Sequence, residues 1–127
     1  MRSGSPLEDH KAIIRLFYDR VWGKSDIAAI DTLFAADFLN HDPGPHSPDR
    51  EGFKQYVAYA RSAADYQPTI EEVIAEGDKV VVRITGQGRL RRKFLGVTFI
   101  NRQVSDKGIV IWRIADGRIV ERWARWT

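Results

Sequence analysis

The chain has 127 residues, a formal net charge of +3, and 43% hydrophobic and 29% charged residues. This composition is typical of a globular domain and excludes a largely disordered chain, and no apolar run reaches the roughly 20 residues that a membrane-spanning helix requires. Because there is no cysteine, disulfides and thiolate chemistry are excluded. We expect one domain over residues 1–127, with residues 1–5 disordered or foreign to the native protein. With no secretory signal evident, we expect a cytoplasmic location.

The first predicted helix has a clear start and stop. Ser5 is a candidate cap, Pro6 takes the first helical position, and Glu8 follows three residues after the cap. Apolar residues then recur at helical spacing until Gly23, which is a plausible end.

Two further helices are predicted in the first half of the chain. We expect a short helix over residues 25–35, capped by Ser25, and a third helix that starts at Ser47 and Pro48. Between them, FLNHDPGPHSP contains three prolines and a glycine, so we expect a short strand from Phe38 to His41 followed by a loop.

After Tyr66 the apolar period changes from helical spacing to two, which predicts strands. Turn residues occur at 76–78 and 116–117, so we expect about four long antiparallel strands. Helices that are segregated from an antiparallel sheet indicate an α+β fold. The basic segment RLRRK (89–93) lies inside a predicted strand and is too short for a nucleic-acid surface, so we expect no nucleic-acid partner.

Alternation in the last strand sends two tryptophans to opposite faces. Glu121, Trp123 and Thr127 share one face, which we expect to line a pocket, and Trp126 lies on the other, where a dimer interface is one expectation. Neither face is purely polar, so both are expected to be covered.

Several motifs together resemble the SnoaL-like polyketide cyclase branch of the NTF2-like fold. They are FLNHDPGP, EGDKVVVR, FLGV and RIADGRIVERW, in this order. The resemblance implies an NTF2-like cone, in which three N-terminal helices pack on a curled antiparallel sheet to form an α+β barrel around an apolar cavity. It also implies a homodimer through the outer sheet face, with no metal and no bound organic cofactor.

The sequence departs from this family at the positions that would carry the chemistry. Leu90 stands where the family usually has a histidine, and Thr127 stands where it has the aspartate that acts as general acid and base. Residues 98–101 (TFIN) replace a proline-rich segment. A threonine hydroxyl, whose pKa is far above neutrality, cannot take the role of that aspartate.

Three residues are candidates for catalysis: His41, Asp65 and Glu121. The resemblance places His41 near the cavity mouth, where it could polarise a carbonyl group, although a loop histidine bonded to backbone is an equal alternative. A metal site in HDPGPH is disfavoured because the prolines separate its side chains. Asp65 either ends the third helix or takes part in catalysis.

Glu121 has two possible roles. It could form a buried ion pair with Arg83. If the two residues do not pair, Arg83 could instead orient an anionic substrate. Alternatively, it could point inward and act as the remaining acid or base, if burial raised its pKa.

Aromatic side chains suit a flat apolar ligand. The expected substrate-binding residues are Phe17, Trp22, Phe38, Tyr56, Tyr59, Arg83, Phe94, Trp112, Trp123 and Thr127. The first functional hypothesis is an enzyme that binds such a molecule in the cavity and performs acid–base chemistry, such as cyclisation, hydroxylation or isomerisation. The alternatives are a binding protein without catalysis, and a structural protein whose cavity is filled by its own side chains.

Overall fold

The computed structural model of the chain describes residues 5–94 and 97–127, without the side chains of residues 91–102. Helices and a curled five-stranded sheet confirm the predicted α+β fold. The predictions for the Phe94 side chain and for residues 98–101 lie outside the described side chains. The elements are α1 (Pro6–Phe17), α2 (Ile30–Leu33), β1 (Phe34–Asn40), α3 (Arg50–Ala64), β2 (Gln67–Glu76), β3 (Lys79–Phe94), β4 (Val97–Ala115) and β5 (Arg118–Trp126).

The start of α1 follows the predicted capping pattern. The Ser5 hydroxyl accepts a hydrogen bond from the Glu8 amide at 3.2 Å, and a π-helical turn continues the helix from Tyr18 to Gly23. The second helix is shorter than predicted, because the backbone becomes extended at Phe34. That residue is fully buried, so the strand begins where its ring enters the core.

The sheet order is β1-β5-β4-β3-β2. The four long strands pair antiparallel, as predicted, but β1 pairs parallel with β5, so the sheet is mixed. Leu39 lies beside Glu121, and Asn40 lies beside Arg122. This pairing brings the loop that follows β1 next to the C-terminal half of β5.

The helices cover one face of the sheet, called the inner face here. Val80, Val82 and Ile84 of β3 are buried there, in agreement with the predicted alternation. A cluster of aromatic rings fills the space above them: Phe17 lies 5.0 Å from Trp112 and 5.3 Å from Phe34 between ring centroids. No helix in the described part of the chain is long and apolar enough to cross a membrane.

The two faces of β5 are the reverse of the prediction. Arg122 pairs with the buried Trp112 and faces inward, whereas Trp123 lies on the outer face. The pairing shifts by one residue opposite Arg113 and Ile114. Such a bulge changes the alternation, so Ile119 and Arg122 are both buried although they are an odd number of residues apart.

Candidate functional site

The space between the helices and the inner face is almost filled. The cavity that remains there has a volume of about 10 Å³, which is room for about one water molecule. Its walls are mainly aromatic and include Tyr18, Trp22, Tyr66 and Trp112. Any larger ligand must therefore bind elsewhere or move these side chains.

A larger cleft of about 300 Å³ opens at the edge of this filled core. It lies between the loop after β1, α3, the middle of β4 and the C-terminal part of β5. We call it the Arg122 cleft; its walls are Asn40, Asp42, Pro43, Gly44, Pro45, Tyr56, Asp106, Arg122 and Trp126. Tyr56, Arg122 and Trp126 also border the small inner cavity, so the two spaces adjoin.

Arg122 is a buried cation in this cleft, with 4% of its surface exposed. Its Nη1 donates to Asn40 Oδ1 at 3.2 Å and to the Asp42 carbonyl at 3.4 Å. Its Nε is buried and has no acceptor. Among the described residues, no carboxylate forms an ion pair with it. Burial lowers the pKa of Arg122, but arginine remains charged in proteins.

Aromatic rings surround the Arg122 guanidinium. Its central carbon lies 5.5 Å from the centroid of Phe53, 5.8 Å from that of Tyr56 and 5.7 Å from that of Trp112. Cation–π attraction at these distances offsets part of the cost of burying the charge. The rings cannot accept a conventional hydrogen bond in place of an oxygen, so the Nε donor remains unsatisfied.

Two carboxylates line the cleft, and they differ in how they are bound. Both oxygens of Asp42 accept hydrogen bonds, one from the Ala124 amide and one from Arg125 Nη1, each at 2.8 Å. Asp106 Oδ1 accepts a hydrogen bond from the Tyr66 hydroxyl at 2.7 Å. Burial, and then this hydrogen bond, raise the pKa of Tyr66 well above its usual range, so the hydroxyl keeps its proton and donates.

Two glycines make room for the cleft wall. A Cβ on Gly86 would lie 1.7 Å from the Tyr66 hydroxyl oxygen and 2.4 Å from Asp106 Oδ1. A Cβ on Gly108 would lie 2.4 Å from the Trp126 ring. Glycine within a strand often marks such a close approach, and here both positions border the same site.

His41 and Glu121 are brought together, but on the outer face of the sheet. His41 Nε2 lies 2.7 Å from Glu121 Oε2, and the imidazole stacks on Trp123 with 4.6 Å between centroids and 4° between planes. Arg113 also donates to Glu121. These hydrogen bonds, first that of His41 and then that of Arg113, lower the pKa of Glu121.

The two expected environments of Glu121 are therefore not found. Its side chain points outward, and its pKa is lowered rather than raised. Arg83 pairs with Glu72 at 3.2 Å instead of with Glu121, because those two residues are neighbours across β2 and β3.

The lowered pKa of Glu121 predicts a loss of stability in acid. A carboxyl group whose pKa is lower in the folded state stabilises the fold above its unfolded pKa, and this contribution is lost as the pH falls through the folded pKa. Glu121→Gln should reduce the unfolding free energy at neutral pH by at most about 1 kcal/mol. Chemical denaturation from pH 7 to below pH 4 should show the difference between the two proteins shrinking; a constant difference would contradict the assignment.

A sequence profile of the SnoaL-like polyketide cyclase family matches residues 12–126. The chain belongs to this family. Among curated proteins, none matches the chain in sequence.

Solved structures with the same fold agree with this assignment. TsrD from Streptomyces laurentii has a TM-score of 0.79 at 22% identity, over 97% of this chain and 91% of its own. IdmH from Streptomyces antibioticus, a proposed polyketide cyclase, has a TM-score of 0.77 at 26% identity, over 92% and 91%. AclR from Streptomyces galilaeus, a proposed hydroxylase, has a TM-score of 0.75 at 25% identity, over 95% and 90%.

In this SnoaL-like chain, the predicted site residues occupy three regions. Tyr56 lines the Arg122 cleft, and Trp22 and Trp112 line the small inner cavity beside it. Phe17 and Phe38 are buried in the core. The remaining described ones lie away from the cleft. Tyr59 is exposed on α3, and the others lie on the outer face of the sheet: His41, Arg83, Glu121, Trp123 and Thr127.

Asp65 is placed where it ends α3. Its backbone is left-handed, with φ of 46°, and its amide donates to carbonyls of the last helical turn. Aspartate tolerates this conformation better than most residues. The structural role that the sequence predicted for Asp65 therefore accounts for the residue.

Arg122 and Asp106 are absent from the predicted site residues. Alternation alone places Arg122 opposite Trp123, on the face that was expected to be outer. The glycines at 86 and 108 were the available signal, because glycine inside a strand indicates that another group approaches closely.

Proposed function

We propose that this chain binds a flat, mainly apolar small molecule in the Arg122 cleft, and that the molecule carries a carbonyl or anionic oxygen that lies on Arg122. We further propose that the chain is an enzyme of polyketide-type or related metabolism that performs acid–base chemistry on this ligand. The observation that carries the proposal is a buried guanidinium with an unsatisfied Nε and no carboxylate partner in the described structure.

Burial of an unpaired charge is costly for a folded protein. Removing a charge from water costs several kcal/mol unless hydrogen bonds and opposite charge compensate. Arg122 has two acceptors, both neutral oxygens, and three ring faces. An anionic oxygen in the cleft would offset the free-energy cost of burying the Arg122 charge. Binding of such a ligand would therefore stabilise the protein.

The walls of the cleft favour a flat ligand. Tyr56 and Trp126 present aromatic surfaces, and Pro43 and Pro45 form an apolar rim. The volume of about 300 Å³ lies at the lower end of the range for small-molecule sites. A ligand of two fused rings, with its oxygen directed at Arg122, combines these features.

The chemistry follows from where charge would develop. When a base removes a proton from the carbon beside a carbonyl group, negative charge collects on the carbonyl oxygen. A fixed cationic donor at that oxygen stabilises the enolate more than the neutral ketone. Cyclisation and isomerisation both pass through such a species. IdmH and AclR, a proposed cyclase and a proposed hydroxylase, support this range of reactions.

A binding protein without catalysis is the alternative. Leu90 and Thr127 stand at the two family positions where a histidine and an aspartate are expected, and neither side chain exchanges a proton near neutral pH. The same cleft would then bind its ligand without turnover.

Binding of 2-naphthoate, measured by titration calorimetry, tests the proposal. The loss of a hydrogen-bonded charged group costs about 1.5–3 kcal/mol, so Arg122→Gln should weaken binding by about 10- to 150-fold. The neutral analogue 2-naphthamide should bind the two proteins with similar affinity. Arg118→Gln is the matched control, because Arg118 is exposed at the other end of β5.

Two outcomes would contradict the proposal. One is no binding of 2-naphthoate to the wild-type chain at millimolar concentration. The other is equal affinity of the wild-type and Arg122→Gln proteins, with circular dichroism showing that both are folded.

The homodimer through the outer sheet face and the cytoplasmic location stay predictions. Leu39, Ile74 and Ile109 are 41%, 53% and 50% exposed, and they lie on the outer face, which supports the dimer. Light scattering of the purified chain should give twice the mass of the 14.5 kDa chain; the mass of a monomer would contradict it.

A further inference from the structure

Asp106 is a carboxylate of the Arg122 cleft that lies on β4, outside every position where the resemblance to the family places a catalytic residue. It is half-buried and forms part of the cleft wall together with Arg122 and Tyr56. Burial has the largest effect on the pKa of Tyr56 and raises it. The charge of Arg122 lowers this pKa and the charge of Asp106 raises it, so both charges act on the same side chain. A cation and a carboxylate therefore border one space.

The two oxygens of Asp106 are in different situations. Oδ1 accepts the hydrogen bond from the Tyr66 hydroxyl at 2.7 Å, which fixes the orientation of the carboxylate. Oδ2 accepts no hydrogen bond from the residues that the structure describes. Asp42, the other carboxylate of the cleft, has both oxygens bound to protein donors. Of the two, only Asp106 has an oxygen available for a ligand proton.

The residue opposite Asp106 in the sheet leaves room for the hydrogen bond that fixes its carboxylate. Gly86 lies directly opposite Asp106 in the pairing of β3 with β4, and any side chain there would overlap the Tyr66 hydroxyl and Asp106 Oδ1. The hydrogen bond therefore depends on a glycine at this position.

Asp106 is also close to the position of the missing family aspartate. The Thr127 amide donates to the Lys107 carbonyl at 2.8 Å, and the Lys107 amide donates to the Thr127 carbonyl at 3.3 Å. Asp106 is the chain neighbour of Lys107. A carboxylate is thus present one residue away on the adjacent strand, but it lies on the inner face, whereas Thr127 lies on the outer face.

We infer that Asp106 is the catalytic base of the Arg122 cleft, an inference that rests on the proposed function. With the ligand carbonyl oxygen on Arg122, Asp106 Oδ2 takes a proton from the carbon beside the carbonyl group. The C–H electron pair forms the carbon–carbon double bond, and the carbonyl π pair moves to the oxygen that faces Arg122. The carboxylic acid returns its proton to carbon, or to the alkoxide that forms when the enolate attacks a second carbonyl group. No oxidant or reductant is consumed.

Deuterium exchange of the flat bicyclic ketone 2-tetralone in D₂O, followed by NMR, tests this step without knowledge of the natural substrate. The wild-type chain should accelerate exchange beside the carbonyl group over buffer. Because general base catalysis contributes about 10²–10⁴-fold, Asp106→Asn should reduce the accelerated rate by about 100-fold or more. Asp116→Asn, in the exposed turn between β4 and β5, is the matched control and should exchange at the wild-type rate.

Binding and rescue distinguish a catalytic from a structural role. Asp106→Asn should bind 2-naphthoate with an affinity within a few-fold of wild type. In Asp106→Ala, added formate should restore part of the exchange, because a small carboxylate can occupy the vacated space; formate should have no effect on Asp106→Asn.

Binding and exchange together distinguish a failure of the Asp106 inference from a failure of the proposed function. If the wild-type chain binds 2-naphthoate but exchange is absent, or is as fast in Asp106→Asn, the inference is overturned and the binding proposal stands. If both Asp106 variants unfold or lose binding, the residue is structural and the inference is overturned. If the wild-type chain neither binds nor exchanges, the proposed function fails as well.

Discussion

Phe17→Ala is expected to destabilise the fold by about 3–5 kcal/mol, a large part of the roughly 5–15 kcal/mol that holds a typical domain together. Phe17 is fully buried, and its ring contacts those of Tyr18, Phe34, Phe53 and Trp112 within 6 Å between centroids. Since α1, α3, β1 and β4 each contribute to this cluster, none of them can move alone to close the cavity. Urea denaturation of the two proteins measures the loss.

Leu16→Ala is the matched control for this substitution. Leu16 is the preceding residue of α1, and 43% of it is exposed, so its truncation removes little buried surface and should cost well under 1.5 kcal/mol. Similar losses for the two variants would contradict the described core. They would indicate that helix propensity, and not ring packing, sets the stability of this region.

Gly86→Ala is expected to disturb both the fold and the cleft. A Cβ at this position would overlap the Tyr66 hydroxyl and Asp106 Oδ1, so the hydrogen bond between them must break or the strands must separate. Overpacking of this kind costs about 1–3 kcal/mol. Thermal denaturation measures the stability, and exchange of 2-tetralone measures the proposed chemistry, which should fall together with the loss of the Asp106 orientation.

Gly23→Ala is the control for the glycine substitution. A Cβ on Gly23 would meet its nearest atoms at 3.7 Å, an ordinary contact. This variant should retain the stability and the exchange rate of the wild-type chain within experimental error. If Gly86→Ala behaved in the same way, the close approach of Tyr66 to β3 would be wrong.

Local patterns predicted the fold well, because local interactions determine its elements. The Ser5 cap and the hairpin turns at 76–78 and 116–117 depend on residues adjacent in sequence. The period of two after Tyr66 indicated strands correctly, and Val80, Val82 and Ile84, which alternate along β3, are all buried.

The site was harder to predict, because it depends on contacts between distant segments. Alternation in β5 assigns its residues to two faces, but it does not show which face contacts the helices. The bulge after Ile119 also changes the alternation within the strand. The parallel pairing of β1 with β5 brings His41 to Glu121 and Asn40 to Arg122. No local pattern in either segment indicates this pairing, since the segments are about 80 residues apart.

The resemblance to the family identified the missing aspartate but gave no indication of Asp106. Thr127 stands where the resemblance places the aspartate, at the C-terminal end of β5, and it bonds to Lys107. Asp106 on the neighbouring strand borders the Arg122 cleft on the inner face, whereas Thr127 lies on the outer face. The position of Asp106 beside Arg122 depends on strand pairing, so no local pattern in the sequence indicates it.

The structure of the chain with bound 2-naphthoate tests the central claim most directly. The account predicts that the carboxylate lies within hydrogen-bond distance of the Arg122 guanidinium, with the rings between Tyr56 and Trp126. Binding of the naphthoate on the outer face beside His41 and Glu121, with the Arg122 cleft empty, would contradict it.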